Sequence, residues 1–275
     1  MEQSENRWRL ILSPPDLGAW NMALDDAILE AISEGISPPT LRLYAWEPPC
    51  LSLGYAQSYA DVDHARLKKK GWDLVRRPSG GRAILHTDEL TYALIAPNHH
   101  RDFKGGVLGS YRHFSQGLVK TLVLLGLKPE MQVVGLNQDE WQHSPVCFQI
   151  PSIYEITVQG KKLVGSAQVR RRNGALQHGT LPLTGDITRI CQVMIFANQD
   201  ERREAMVKLN QTASTVEDLL GRAPSWLQAA EAMVNAFTES LDMQFDRSDI
   251  SAHEKQRAEE LMASRYGHRE WMTRI

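Results

Sequence analysis

Cys147 to Leu183 reads C-F-Q-I-P-S-I-Y-E-I-T-V-Q-G-K-K-L-V-G-S-A-Q, then V-R-R-R-N, then G-A-L-Q-H-G-T-L-P-L. Alternating apolar and polar residues predict a strand ending at Val158, a turn at Gln159-Gly160, a second strand led by Lys162 and a third carrying His178-Gly179-Thr180. Short strands joined by tight turns pair antiparallel. Cys147 stands between Pro145 and Pro151, which favour an irregular loop.

Upstream, Arg9 to Leu12 reads as an edge strand. Asp16 to Glu34 reads as an amphipathic helix, with Trp20, Ala23, Leu24, Ala27, Ile28 and Ala31 at helical spacing, Asp16 as cap and Gly35 as stop. Strands follow at Thr40–Tyr44 and Cys50–Gly54, then a helix from Asp61 to Lys70. A strand at Leu74–Arg76 enters the turn Pro78-Ser79-Gly80-Gly81 and returns through Ala83–Leu85 and Leu90–Ala96. Asn98 to Gly109 reads as a loop, Tyr111 to Leu125 as a helix and Lys128 to Pro145 as irregular. Beyond Leu183 the strand signal fades, and helices are expected at 187–196, 199–209, 215–220, 225–241 and 251–265. Strands first and helices last predict an α+β fold of mixed, largely antiparallel sheets flanked by helices, with a helical C-terminal segment. The domain division drawn is 1–245 for the catalytic unit and 246–275 for a helical extension.

The length of 275 residues suits one large domain or one domain with a small appendage. A net charge of −2 provides no global field for nucleic acid. No apolar run approaches the roughly 20 residues that span a membrane, and the first residues lack a signal core. Cys50, Cys147 and Cys191 are too few for a disulfide framework and lack metal-site spacing, which fits a reducing cytoplasm.

Three groups can carry chemistry. A cysteine is most often a small buried hydrophobe, and Cys50 and Cys191, in apolar surroundings, read that way. Cys147, on its loop, is the candidate nucleophile. A reactive thiol needs a nearby cation, for which Lys162 and Arg170–Arg172 are candidates; hairpin geometry alone puts Lys162 near Val158, not Cys147. Lys161 and Lys162 point to opposite faces, and Gly165-Ser166-Ala167 is small enough for close approach of a ligand. Arg76-Arg77-Pro78-Ser79-Gly80-Gly81-Arg82 resembles an anion loop but lacks nucleotide P-loop spacing; a plain glycine turn explains it equally. His86 and His178 are each a general base or a hydrogen-bonded structural histidine.

Together these stretches resemble the biotin/lipoate protein ligase superfamily, from about Leu41 to Leu241. R-R-P-S-G-G-R-A-I-L-H resembles its acyl-binding glycine loop, K-L-V-G-S-A-Q its lysine strand, and Q-H-G-T-L-P-L the next strand of that family. In ATP-dependent lipoate ligases the lysine binds an acyl-adenylate and no catalytic cysteine is needed. In the shorter octanoyltransferase branch the cysteine comes after the lysine strand. Here C-F-x-x-P-S-x-Y-E precedes G-K-K-L-V-G-S-A-Q, as in octanoyltransferases of the LipM type.

The resemblance implies transfer of octanoyl from octanoyl-acyl carrier protein, through a thioester on Cys147, to the lysine of an apo lipoyl domain, such as glycine-cleavage H protein or a dehydrogenase E2 subunit. It implies Cys147 and Lys162 as catalytic residues and no cofactor. Arg76, Ser79, Gly80, Gly81, His86, Gly165, Ser166, Ala167, His178 and Gly179 are implied around the substrate, with Leu74, Ile84 and Tyr92 as tunnel residues. Two enzyme alternatives stay open: an ATP-dependent lipoate or octanoate ligase, and an amidotransferase moving octanoyl between lipoyl domains. An inert acyl-binding protein is the third. Acidic carriers are expected to be steered by Arg170–Arg172 and Lys68–Lys70.

Overall fold

The computed structural model describes residues 6–133 and 154–275. Cys147 and its flanking prolines lie outside the described residues. The chain begins with β1 (Arg7–Leu12) and α1 (Gly18–Ser33). The cap expected from Asp16 is not formed: its carboxylate accepts the Leu17 N–H, while the Gly18 N–H is met at 3.0 Å by Asp73. The orphan helix donor is thus satisfied from across the fold, which no local pattern encodes. β2 (Thr40–Tyr44) and β3 (Cys50–Leu53) come next. Then comes α2 (His64–Lys69), capped by Asp63, so the helix starts later than the Asp61 expected from sequence.

β4 (Asp73–Arg76), β5 (Ile84–His86) and β6 (Glu89–Pro97) lead to α3 (Gly106–Leu124). α3 starts inside the stretch read as loop. Its glycine-rich start resembles a linker, yet Gly105 at φ 78° is its cap and Gly106 at φ 70° its first residue. β7 (Glu130–Val133), β8 (Tyr154–Val158), β9 (Lys161–Lys162), β10 (Gly165–Arg171) and β11 (Gly174–Pro182) complete the strand-rich part. The remainder is α4 (Gln199–Thr212), α5 (Val216–Leu220), α6 (Trp226–Leu241), β12 (Gln244–Arg247), α7 (Ala252–Leu261) and α8 (Arg269–Met272). Ser225 and Ser251 cap α6 and α7 in capping boxes, as their sequences predict.

The main sheet runs β10-β11-β6-β2-β1-β12; β3 with β4 and β5, and β8 with β7 and β9, form two small sheets. Pairing is antiparallel from β10 to β2, and parallel where β1 meets β2 and β12. This is the mixed, largely antiparallel α+β architecture that the sequence predicts. β1 is not an edge, however. Exposed, polar Gln-Phe-Asp-Arg at 244–247 carries no strand signal, yet it pairs with β1 and closes that side.

Side-chain alternation divides the core. Tyr92 and Leu94 of β6 face α3 and α6, whereas Ala93 and Ile95 face α1 and α7. The division drawn after residue 245 falls within β12, and the helices beyond it are packed on α1. Arg9 pairs with the buried Glu254 of α7, and the Tyr266 hydroxyl donates to Asp26 of α1 at 2.7 Å.

Where α3 meets α6, Gly117 has no room for a methyl group: a Cβ there stands 2.1 Å from the Phe237 ring. On an exposed helix Gly→Ala stabilises by about 1 kcal/mol. Here Gly117→Ala is expected to destabilise by about 1–3 kcal/mol through overpacking, read as a lower urea midpoint at unchanged slope. A rise in the midpoint contradicts this packing.

Candidate functional site

The glycine turn 78–81 is held from beneath by Arg77. Its guanidinium donates to the Gly80, Arg82 and Ser52 carbonyls at 2.9, 2.7 and 3.0 Å. Gly81 sits at φ 93°, and a Cβ on Gly54 stands 1.9 Å from the Gly81 carbonyl oxygen. Gly54 is therefore a required small residue under the loop. Sequence reading does not single it out, because only the fold brings residue 54 beneath residue 81. From the side, the Ser79 hydroxyl meets His178 Nε2 at 2.5 Å.

His178 stands on β11 with its other nitrogen 3.7 Å from Asp25 of α1. Asp25 is fully buried, pairs with Arg42 at 2.7 Å and accepts the Tyr44 hydroxyl at 2.9 Å. Burial pushes the Asp25 carboxyl up, but Arg42 and His178 outweigh it and hold it below the ordinary carboxylate value. Burial depresses the His178 pKa, and Asp25 only partly restores it. His178 is thus a neutral, clamped imidazole joining loop to helix.

His86 has both ring nitrogens engaged, Nδ1 with Glu89 at 2.6 Å and Nε2 with Ser52 at 2.8 Å. Trp46 stacks on it at 4.0 Å between centroids and donates its indole N–H to Thr91. These groups enclose a cavity of about 280 Å³, just below the roughly 300–1,000 Å³ typical of small-molecule sites. Gly80, Gly81, Ile84, His86, Gly165, Ser166, Ala167, His178 and Gly179 line it, all anticipated from sequence. Met22, Tyr44, Trp46, Val107, Leu108 and Tyr111 also line it, although by sequence pattern they belong to core or loop.

Other candidates lie elsewhere. Ser79 is buried behind the loop against His178. The Arg76 guanidinium is used by the Gly54, Gln57 and Met272 carbonyls and ties the C-terminal segment to the loop's base. Tyr92 stands behind the lining on the α3 side, where its hydroxyl bonds Ser166 Oγ at 2.6 Å; burial pushes its pKa up to about 12. Leu74 packs in the small-sheet core.

Lys162 is buried on β9, opposite Thr157, with Nζ 3.0 Å from Glu155. Glu155, two residues along β8 from Thr157, supplies the counter-charge a buried ammonium requires. Y-E-I-T-V held that signal, since residues two apart share a strand face. Lys162 is not part of the cavity lining, which this stretch of chain joins at Gly165. Burial raises the Cys50 thiol well above its usual value and pushes Cys191 up to about 11, so both belong to packing. Cys147, the sulfur expected beside Lys162, lies outside the described residues. The arginine run is consumed: Arg170 donates to the Phe103 and Gly106 carbonyls, Arg171 pairs with Asp26 and Arg172 with Glu30. Among the described residues, no group of three or more His, Cys, Asp or Glu can hold a metal ion, and no helix is long and apolar enough to cross a membrane.

Residues 18–238 match the Lipoyl protein ligase A/B catalytic domain family. The chain is 37% identical over 269 residues to the octanoyltransferase LipM of Carboxydothermus hydrogenoformans, covering 98% of this chain and 99% of that protein. It is 39% identical over 270 residues to that of Kyrpidia tusciae, covering 96% and 97%. A solved chain from the bipartite lipoate protein ligase and E2 lipoyl domain system of Thermoplasma acidophilum shares the fold, with a TM-score of 0.81 at 24% identity over 98% of this chain and 97% of that one.

The depressed His178 pKa sets a pH dependence. An unfolded histidine titrates near 6.5, so below about that pH the unfolded state binds more protons and folding weakens. Wild type is expected to lose stability from about pH 7 downward until the lower folded pKa is passed. His178→Gln should lack that component, so the gap between their urea midpoints narrows as pH falls. A gap that is constant from pH 8 to pH 5 contradicts a buried neutral imidazole.

Proposed function

Because the chain belongs to the lipoyl protein ligase A/B catalytic domain family, and within it to the LipM octanoyltransferases, we propose that it transfers octanoyl through a thioester on Cys147, with Lys162 as the neighbouring cation. The protein is an acyltransferase acting on the lysines of lipoyl domains; the octanoyl-loaded acyl carrier protein as donor and a cytoplasmic setting are parts of this proposal. The observation that carries it is the cavity beside the glycine turn, whose lining includes Gly165, three residues beyond Lys162 in the chain.

The Cys147 thiolate attacks the carbonyl carbon of the donor thioester. The new C–S bond forms as the old one breaks, and the carrier's sulfur leaves as a thiolate that takes its proton from solvent. Exchanging one thioester for another is nearly isoenergetic, so no nucleotide is consumed. The lipoyl-domain lysine then attacks as a neutral amine; the amide forms, the bond to Cys147 breaks, and the amine's proton ends on the sulfur. Each step develops an oxyanion, which hydrogen-bond donors must meet. The N–H groups at Gly80, Gly81 and Gly165–Ala167 border the cavity and are the proposed source. An octanoyl chain gains about 5 kcal/mol on burial, at about 0.8 kcal/mol per CH₂, enough to select chain length without nucleotide contacts. The ammonium lowers the thiol pKa by charge proximity.

Incubation with octanoyl-acyl carrier protein is expected to add one octanoyl mass to wild type, traced by peptide mapping to Cys147, and nothing to Cys147→Ala. Transfer that survives in Cys147→Ala with acyl-dependent pyrophosphate release would instead establish the ATP-dependent ligase. Lys162→Ala should slow transfer by about 10²-fold or more and move the pH profile of Cys147 alkylation upward. Slow transfer with an unmoved alkylation profile rejects the electrostatic role and leaves Lys162 a structural one.

A further inference from the structure

By sequence, steering of the carrier falls to Arg170–Arg172 and Lys68–Lys70, but the guanidiniums are spent on carbonyls, Asp26 and Glu30, and the lysine run at the end of α2 contributes nothing to the cavity lining. A different surface has the required properties. From Asn98 to Lys128 the sole carboxylate is Asp102, against Arg101, Lys104, Arg112, Lys120 and Lys128. Asp102 is buried and is engaged by His113 at 2.9 Å. Lys120 pairs with Glu239, and Arg101 reaches Asp242 at 3.9 Å. Lys104 and Arg112 are exposed, and no described carboxylate forms an ion pair with either.

Between them the start of α3 presents Val107, 47% exposed, and Leu108, 50% exposed. Both line the cavity, so this shoulder is its rim. Leu108 and Arg112 are four residues apart and share one helix face. The shoulder is held in place: Arg170 clamps the Phe103 and Gly106 carbonyls at 2.8 Å each and reaches Ser110 Oγ at 3.2 Å. Two exposed aliphatic side chains flanked by cations, fixed at the entrance of an acyl-sized cavity, form a docking knuckle whose complement is an acidic surface with a small apolar patch.

We propose that the start of α3, with Val107 and Leu108 between Lys104 and Arg112, is the docking face for an acidic acyl-loaded carrier domain, which delivers its thioester over this rim into the cavity. This rests on the octanoyltransferase reading for the identity of the cargo. A lipid surface can also meet cations and aliphatic side chains, but a membrane does not explain why the knuckle forms the rim of the acyl cavity. The carrier does, because its pantetheine arm must enter there.

The test compares wild type, Lys104→Glu/Arg112→Glu and Lys68→Glu/Lys69→Glu, the last reversing the basic run on α2. Binding of octanoyl-acyl carrier protein is measured by fluorescence anisotropy at low and high salt. Acyl loading is tracked by intact mass with that carrier and with octanoyl-pantetheine, which has no acidic domain. The α3 pair should weaken carrier binding and loading about tenfold or more at low salt, with the deficit shrinking at high salt. Loading from octanoyl-pantetheine should be unchanged, and the α2 pair should behave as wild type.

Equal slowing with both donors shows a damaged cavity and overturns the proposal, as does an equal effect of the α2 pair or carrier binding insensitive to Lys104 and Arg112. Sedimentation of wild type with phosphatidylglycerol vesicles that is lost in the α3 pair, with carrier binding unchanged, assigns the face to a membrane instead. If wild type acquires no octanoyl mass while carrier binding still depends on Lys104 and Arg112, the docking face stands and the Cys147 mechanism falls.

Discussion

The ion pair between Asp25 and Arg42, both fully buried, is the constraint around which the site is assembled. A carboxylate and a guanidinium without solvent need each other and further hydrogen bonds to offset their desolvation. Asn21 and Ser13 complete the Arg42 donors, and Tyr44 adds a donor to Asp25. The pair fixes α1 against β2, and Asp25 in turn faces His178 on β11. From His178 a hydrogen bond reaches Ser79, so the glycine turn inherits its position from a charge pair in the interior. Such an arrangement suits a catalyst that must hold donors still while charge develops. Conserving volume while deleting one charge leaves the other uncompensated.

A second network serves the other wall. Glu89 orients His86 and accepts the Thr91 hydroxyl, Thr91 accepts from Trp46, and Trp46 stacks back on His86. Both histidines that the sequence singles out therefore have their nitrogens committed to protein partners. They shape and stiffen the cavity, and the acyl transfer proposed for Cys147 assigns neither of them a proton-transfer step.

The C-terminal segment is tied into the same architecture. Arg76, in the glycine-loop motif, donates to Met272, and the Trp271 indole donates back to the Arg76 carbonyl. The last helices thereby brace the base of the loop and cover α1, as β12 covers the edge of β1. The basic run at 170–172 has a comparable internal use, with Arg170 stiffening the shoulder at the start of α3. Positive charge in sequence is a fair guide to electrostatics and a poor guide to location, because Phe103, Asp26 and Glu30 are all remote in the chain from the arginines they hold.

By itself the sequence determined what depends on near neighbours: the alternation in β6 and β11, the Gln159-Gly160 hairpin that sets Lys162 near Val158, the serine caps of α6 and α7, and the glycine, lysine and histidine motifs that line or border the cavity. Periodicity and capping are local, and a chain of residues carries them openly. Only the tertiary structure decided that Asp73 caps α1, that β12 shields β1, and that Gly54 must lack a side chain because Gly81 lies over it. It also decided that Arg76 and Arg170–Arg172 are structural clamps while Lys104 and Arg112 face outward. Those outcomes depend on which distant group arrives beside a given residue. That is fixed by packing around buried charge, which residue type and spacing do not encode.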